Sequence, residues 1–409
     1  MKRGAVSFMR HFDYLLENEK EELFSVHPLP INRNTEKEVL AHALGATLYM
    51  PAIRTTISHD VMTQKHEGLV SMVICLEDAI GDHEVTEAEQ SLIRQVRDIS
   101  SRLRNGLIQQ DDIPIMFVRV RDVHQMNRLV EELQEDLISL TGFVFPKFTS
   151  RNAEEYLEAL QSCNRYVPFP VYGMPILESA DIIYRESRTA ELLSIKKILD
   201  KYRHLVLNVR MGATDFSSLF GLRRGPDVSI YEISTIRDCI GDIVNMFTRQ
   251  GSEYVVSGPV WEYFSNGERL LKPQLRQSPF EQKLGGASGR RLRQQLLNQW
   301  QDGLIKEVLL DKENGLTGKT IIHPSHIKIV HSLAVITREE YEDARAILQS
   351  QTNGVTKSHY ANKMNEIKPH TSWAKKIMIK SKVYGVFHEH NNFINLLART
   401  ANIQFQYSR

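Results

Sequence analysis

Eight short apolar or β-branched runs punctuate the chain: TLYMP (47–51), SMVICLED (71–78), PIMFVRV (114–120), GFVFPK (142–147), VYGMPILES (171–179), HLVLNVRMG (204–212), EYVVSGP (253–259) and KTIIHP (319–324). Most are nearly continuous rather than alternating, the pattern of parallel strands covered on both faces. Longer amphipathic stretches separate them, over 123–140 (with Leu129, Val130, Leu133 and Leu137), 153–160 and 231–247. Strands alternating with helices over roughly 330 residues predict an α/β fold, a (β/α)₈ TIM barrel with insertions. A doubly wound open sheet is the competing architecture; eight evenly spread units favour the closed barrel.

Two regions break the repeat. The interval between the seventh and eighth strands is long and holds GGASGRRLRQQL (285–296). After ITREEYEDARAILQS (336–350) comes the polar QTNGVTKSHYANK, which reads as a hinge or linker. The division expected is therefore 1–350 for a barrel domain with an N-terminal extension and 351–409 for a small C-terminal element. That tail carries nine Lys/Arg against two Glu. Such an excess suits contact with something anionic, a neighbouring subunit or a substrate, or else a solvated basic helix.

Over the whole chain the charge is balanced: 51 Lys plus Arg against 50 Asp plus Glu, 25% charged and 42% hydrophobic residues. This is an ordinary globular composition and argues against nucleic acid or a membrane as partner. The three cysteines, Cys75, Cys163 and Cys239, have no CxxC spacing, so no disulfide framework or zinc ribbon is expected. Acidic residues interrupt the opening MKRGAVSFMRHFDYLLENEKEE before any signal-peptide core develops. The expected location is the cytoplasm.

Ionisable residues stand where the apolar runs end. Glu77 and Asp78 close the second, Arg119 the third, Lys147 the fourth and Glu178 the fifth, and Asp215 follows the sixth. In a barrel these ends share one rim, where catalytic groups of this architecture sit. Each taken singly is also explained as a helix cap or an ion-pair partner; their common location favours a site, because burying a charge is costly unless it is paired or metal-bound. Glu178 and Asp215 supply two hard oxygen ligands of the kind Mg²⁺ takes. Glu77 and Asp78 would orient the ion's waters. Arg119 offers a planar, permanently charged fork for an enolate or carboxylate oxygen. A Lewis-acidic ion beside a guanidinium suits enolate formation from a 2-oxo acid or thioester.

The motifs LYMP, ICLEDAI, FVRVR, GFVFPKF, PILES, GATDFSS and GKTIIHPSHI, spanning about residues 40–350, resemble the citrate lyase beta-subunit/malyl-CoA lyase family of the HpcH/HpaI aldolase superfamily. The nearest resemblance is to a divergent branch of barrel-fold C–C bond lyases associated with stress or tellurite-resistance gene clusters. It implies Mg²⁺ (or Mn²⁺) on Glu178 and Asp215. It also implies a substrate contact from Arg119, with Glu77 and Asp78 supporting the metal site; Lys147 and Glu77 are expected to bind substrate beside Arg119, and Arg119 and Asp78 to count among the catalytic residues. The family forms trimers or hexamers in which a C-terminal lid closes over a neighbour's barrel and carries an acidic residue. MNEIKPH (364–370) stands in that place, so Glu366 is the expected general acid/base, acting in trans. Gly45-Ala46 replace the family's Arg-Ser, and 52–70 departs from its pattern; both bear on coenzyme A recognition and leave a coenzyme A thioester substrate an open question.

GLTGKT (315–320) is not a phosphate loop: its spacing puts Glu313 where the first glycine belongs, and a strand follows. GGASGRRL reads either as a flexible surface loop or as a phosphate-binding turn using Arg290, Arg291 and Arg293. His323 reads as a hydrogen-bonded structural histidine, His388 and His390 as a weak metal pair, and Trp373 and Tyr384 as core packing. The expected activity is a Mg²⁺-dependent carbon–carbon lyase or aldolase acting on a small oxo or hydroxy acid, or its acyl derivative, through a metal-stabilised enolate. The alternatives are a non-catalytic ligand-binding or assembly protein, and another enolate chemistry such as thioester hydrolysis or phosphotransfer.

Overall fold

The computed structural model describes residues 11–264, 278–298, 301–350, 354–360 and 362–400. The first ten residues, part of the interval after the seventh strand, part of the polar stretch and the last nine residues lie outside them. Eight parallel strands form one sheet: β1 Ala46–Pro51, β2 Ser71–Cys75, β3 Ile115–Arg119, β4 Gly142–Phe145, β5 Tyr172–Leu177, β6 Arg210–Met211, β7 Gly258–Trp261 and β8 Lys319–Ile321. Neighbours pair in sequence order from β1 to β6, while β8 joins β1 to β7. A parallel bridge between Val209 and Val256 closes the ring. The fold is a TIM barrel.

The strands of β2, β3 and β4 are buried at every position, as expected of a sheet with helices outside and side chains filling the inside. Outward residues meet the helix layer, including Leu92, Val96 and Ile99 of helix Val85–Arg104. Inward residues divide by height. Ile115, Phe117, Val73, Val144 and Met174 form an apolar plug, continuous with Leu40 and Leu44 at helix Lys37–Ala43 and with Val383 and Tyr384. Two residues further along β3, the same inward face presents Arg119. On β3 the inward face is thus apolar low in the barrel and charged at the rim.

Several expectations change. The sixth run contributes only Arg210–Met211 as strand, and the seventh strand starts at Gly258 rather than 253. The polar linker contains an antiparallel ribbon, Val355–Lys357 with Met364–Glu366. The glycine-rich segment is helical over Gly286–Asn298, not a loop. A Cβ on Gly289 would come within 2.4 Å of the Phe280 carbonyl, so this glycine serves close contact with helix Pro279–Leu284 rather than flexibility. The C-terminal segment, expected as a lid over a neighbour's barrel, docks on its own barrel. Its helix, Ile367–Tyr384, packs beside helix Lys37–Ala43 at the opposite end, where the Tyr384 hydroxyl donates to the His42 carbonyl at 2.7 Å. Val386–Phe387 then pairs with Phe24–Val26. Among the described residues no helix is long and apolar enough to cross a membrane.

Candidate active site

At the C-terminal ends of the strands a cavity of about 380 Å³ opens, lined by Tyr49, Cys75, Asp78, Arg119, Glu178, Arg210, Asp215 and Thr320 among others. Four of the charged groups form one ion-pair network. The Arg119 Nη2 donates to Glu77 and, at 2.7 Å, to Asp78 Oδ2. Lys147 Nζ reaches Glu77 Oε1 at 2.6 Å and Asp78 Oδ1 at 3.6 Å. Burial opposes ionisation of Asp78, yet the hydrogen bond with Glu77 and the charges of Arg119 and Lys147 hold its carboxyl below the ordinary range. Burial likewise opposes the charge on Arg119, and the anionic surroundings, Glu77 among them, raise its pKa regardless.

The other two acids are placed differently. Glu178, just past β5, is buried, and its Oε1 accepts the Lys147 backbone N–H at 2.7 Å. That N–H is aimed by a left-handed backbone at Lys147, φ 46°, a conformation that is strained for a side-chain-bearing residue and concentrates at functional sites. Gly212 makes room on the other side, since a Cβ there would lie 2.1 Å from Glu178 Oε2. Burial and then the neighbouring Asp215 push the Glu178 carboxyl up to about 8. Asp215 is raised too, by burial and by Asp78. It lies in helix Ala213–Ser218 directly after β6. Among the described residues neither carboxylate has an ion-pair partner within 4 Å.

Six of the seven site residues expected from sequence therefore meet at the rim: Glu77, Asp78, Arg119, Lys147, Glu178 and Asp215. Glu366 does not. It is exposed, its backbone N–H donates to His370 Nδ1 at 3.2 Å, and the helix it precedes lies at the far end of the barrel. A larger cavity of about 660 Å³ also lies at that end, between Lys37, Arg203 and Lys376, remote from these carboxylates. Arg210 was not expected. It stands inside an apolar run, and counting in twos from Asn208 would have turned it inward.

The minor candidates resolve as structure. His323 Nδ1 lies 2.8 Å from Ser325 Oγ, and its ring stacks on Phe264. His388 Nε2 contacts the Glu21 carbonyl at 3.1 Å, whereas His390 uses its backbone carbonyl to accept from Lys283. Tyr384 is buried, but Trp373 is 37% exposed and is not core. Arg290 sits 3.6 Å from Glu281. Gly45 takes φ 54° and packs on His331, whose Nε2 would lie 2.6 Å from an added Cβ, so the arginine that the lyases carry at this position has no room here.

No curated protein sequence matches the chain. Among solved structures, the CitE protein of Mycobacterium tuberculosis, in complex with magnesium, acetoacetate and coenzyme A, aligns at 15% identity over 84% of this chain and 99% of that one, with a TM-score of 0.48. RipC of Yersinia pestis aligns at 16% identity over 71% of this chain and 94% of that one, TM-score 0.40. A Haloferax volcanii malate synthase magnesium/glyoxylate complex aligns at 9% identity over 70% and 74%, TM-score 0.47. The family described as C–C bond lyase of the TIM-barrel fold matches over residues 38–386, and the chain belongs to that family.

Proposed function

We propose that the protein is a Mg²⁺-dependent carbon–carbon lyase or aldolase of small oxo or hydroxy acids, with Glu178 and Asp215 as the metal ligands. The observation that carries this reading is the pair itself: two carboxylates from successive strand ends face one cavity, both have raised proton affinity, Glu178 through burial and Asp215, Asp215 through burial and Asp78, and neither has an ion-pair partner within 4 Å among the described residues. A divalent cation supplies the missing charge. The donor set fits, because Mg²⁺ commonly uses one or two carboxylates and fills its remaining positions with water and substrate oxygens. Among the described residues no group of three or more His, Cys, Asp or Glu is arranged for a metal, so an ion here rests on two side chains. Mn²⁺ suits the same oxygens.

When bound, the ion would polarise a substrate oxygen as a Lewis acid. Arg119 projects its guanidinium into the same cavity and stabilises negative charge developing on the enolate oxygen. Glu77 and Asp78 hold that guanidinium in place, and Lys147 joins them while presenting a half-exposed ammonium to a substrate carboxylate. Asp78, tied to Arg119 and Lys147 and held below the ordinary carboxyl range, is a poor proton acceptor, and both oxygens of Glu77 are occupied by the same two cations. The general acid/base role then falls to Glu366 of a neighbouring copy in a homo-oligomer, trimer or hexamer, as in the lyases the sequence resembles.

The test is the double replacement Glu178→Gln with Asp215→Asn, assayed by titration calorimetry with Mg²⁺. The expected result is loss of Mg²⁺ binding and of retro-aldol turnover on a panel of hydroxy acids, with an unchanged circular dichroism spectrum. Retained metal affinity in the folded double variant rejects the assignment.

A further inference from the structure

The inner wall of the cavity carries a charge that the lyase reading does not use. Arg210 on β6 is 1% exposed. Its Nη2 donates to Thr320 Oγ1 at 2.7 Å and its Nη1 to Thr47 Oγ1 at 3.4 Å, and its guanidinium lies 5.6 Å from the Tyr49 ring centroid. All three partners are neutral. Its Nε, like that of Arg119, is buried without a hydrogen-bond partner among the described residues. Arg119 lies over the same tyrosine ring at 5.8 Å, but Arg119 has Glu77 and Asp78, whereas Arg210 forms no ion pair within 4 Å among the described residues.

A permanently charged side chain in the interior is expensive unless a counter-charge meets it. Packing is a poor reason to keep one here, because a barrel interior is ordinarily filled by branched apolar residues. Register places the group: Arg210 pairs with Ile176 on β5, two residues before Glu178, and reaches the rung where Thr47 pairs with Thr320. The guanidinium therefore lies below the carboxylate pair, on the wall of the same cavity.

We propose that Arg210 makes the inner end of the cavity an anion subsite, and that the ligand is an acid with a second carboxylate. One end of the ligand engages the rim, and the other exchanges the isolation of Arg210 for a charge-assisted hydrogen bond, the strongest kind available to a guanidinium. This rests on the reading that acids bind at the rim; it adds which acids. Arg210 is a specificity-determining residue in this account.

The test compares malate with 2-hydroxybutyrate, which puts a methyl group where malate has its second carboxylate. Calorimetry on the full-length protein, with and without Mg²⁺, reads both affinities in wild type and in Arg210→Gln. Wild type is expected to favour malate by about tenfold or more, and Arg210→Gln to bring the two acids within about twofold through loss of malate affinity alone. No preference in wild type, a preference that survives Arg210→Gln, or equal losses for both acids overturns the proposal. Should Arg210→Gln fail to fold, Arg210→Met fills similar space without the charge, and a preference undiminished in that variant overturns it equally. A malate preference with affinities that do not depend on Mg²⁺ defeats the metal assignment and leaves the subsite standing; Mg²⁺-dependent binding without the preference does the reverse.

Discussion

Two clusters of buried charge lie on this barrel, and they are built on opposite plans. On the wall, Lys319 of β8 meets Glu307 Oε1 at 3.0 Å and Asp311 Oδ2 at 2.8 Å, both from helix Gln301–Glu313. Arg224 pairs with Glu307 and, at 3.1 Å, with Glu262. The Ile230 backbone N–H and the Tyr231 hydroxyl complete the set, donating to Glu307 at 2.9 Å and to Asp311 at 2.7 Å. Burial works against ionised Glu307, yet Lys319 and Arg224 hold its carboxyl below the ordinary range. Asp311 goes the other way, raised by burial although Lys319 opposes it; each acid nevertheless has a cation in contact. At the rim, Glu178 and Asp215 have none within 4 Å among the described residues. Burial of charge alone does not mark a site, since the wall cluster is the more deeply buried. What separates the two is a deficit of positive charge, which a folding device cannot tolerate cheaply and a cation site requires.

The largest expected effect breaks the wall. Glu307→Ala leaves Lys319 with Asp311 alone and Arg224 with Glu262 alone in the interior, and removing one partner of a buried ionic group costs about 3–5 kcal/mol. Urea unfolding should show that loss, while Mg²⁺ affinity of the folded fraction is unchanged. A loss below about 1 kcal/mol would mean that the wall is as dispensable as a surface pair. At the rim the sign reverses. A carboxyl at about 8 in the native state, against an ordinary 4.5, binds its proton more tightly folded than unfolded. Its contribution is therefore complete below pH 4.5 and is lost as pH rises through 8. Glu178→Gln cannot ionise, so its stability relative to wild type should grow across that window and level off above it, by roughly 2–3 kcal/mol. Mg²⁺ should narrow the gap by stabilising wild type alone. A Glu178→Gln protein less stable than wild type at pH 9 without metal would show that the pair is structural.

How much of this was legible follows the same physics. Glu77, Arg119, Glu178 and Asp215 were visible because each interrupts or directly follows an apolar run at the end that a barrel turns toward its rim. Arg210 was not, because it lies within HLVLNVRMG, where only two residues pair as strand and the alternation is too short to stand out. Lys319 opens β8, and its partners lie on a helix whose inward face carries Glu307 and Asp311, so its amphipathic pattern does not announce a core. The glycines of 285–289 suggested a loop because composition cannot distinguish a glycine that bends from one that lets two helices touch. Which end of the barrel the tail would cover was also beyond the sequence: the basic excess fitted either end, and the docking rests on the Tyr384 hydroxyl and on two-residue pairing with Phe24–Val26, contacts without a periodic signature.

The smallest of these effects tests whether the rim is itself two systems. Arg119 binds Glu77 and Asp78 but forms no ion pair with Glu178 or Asp215 within 4 Å among the described residues. Arg119→Lys keeps a positive charge and gives up the planar fork. If the guanidinium acts on developing oxyanion charge, turnover of the acid that wild type cleaves should fall about a hundredfold, equivalent to about 2.7 kcal/mol. Mg²⁺ affinity should stay within about threefold, because the ligand pair keeps its Lys147 backbone hydrogen bond and its Gly212 clearance. Single-turnover rates with Mg²⁺ titrations on the same preparations separate the two quantities. If both fall together, the six rim residues form one electrostatic unit, and the contrast with the wall then lies only in its total charge and not in its division of labour.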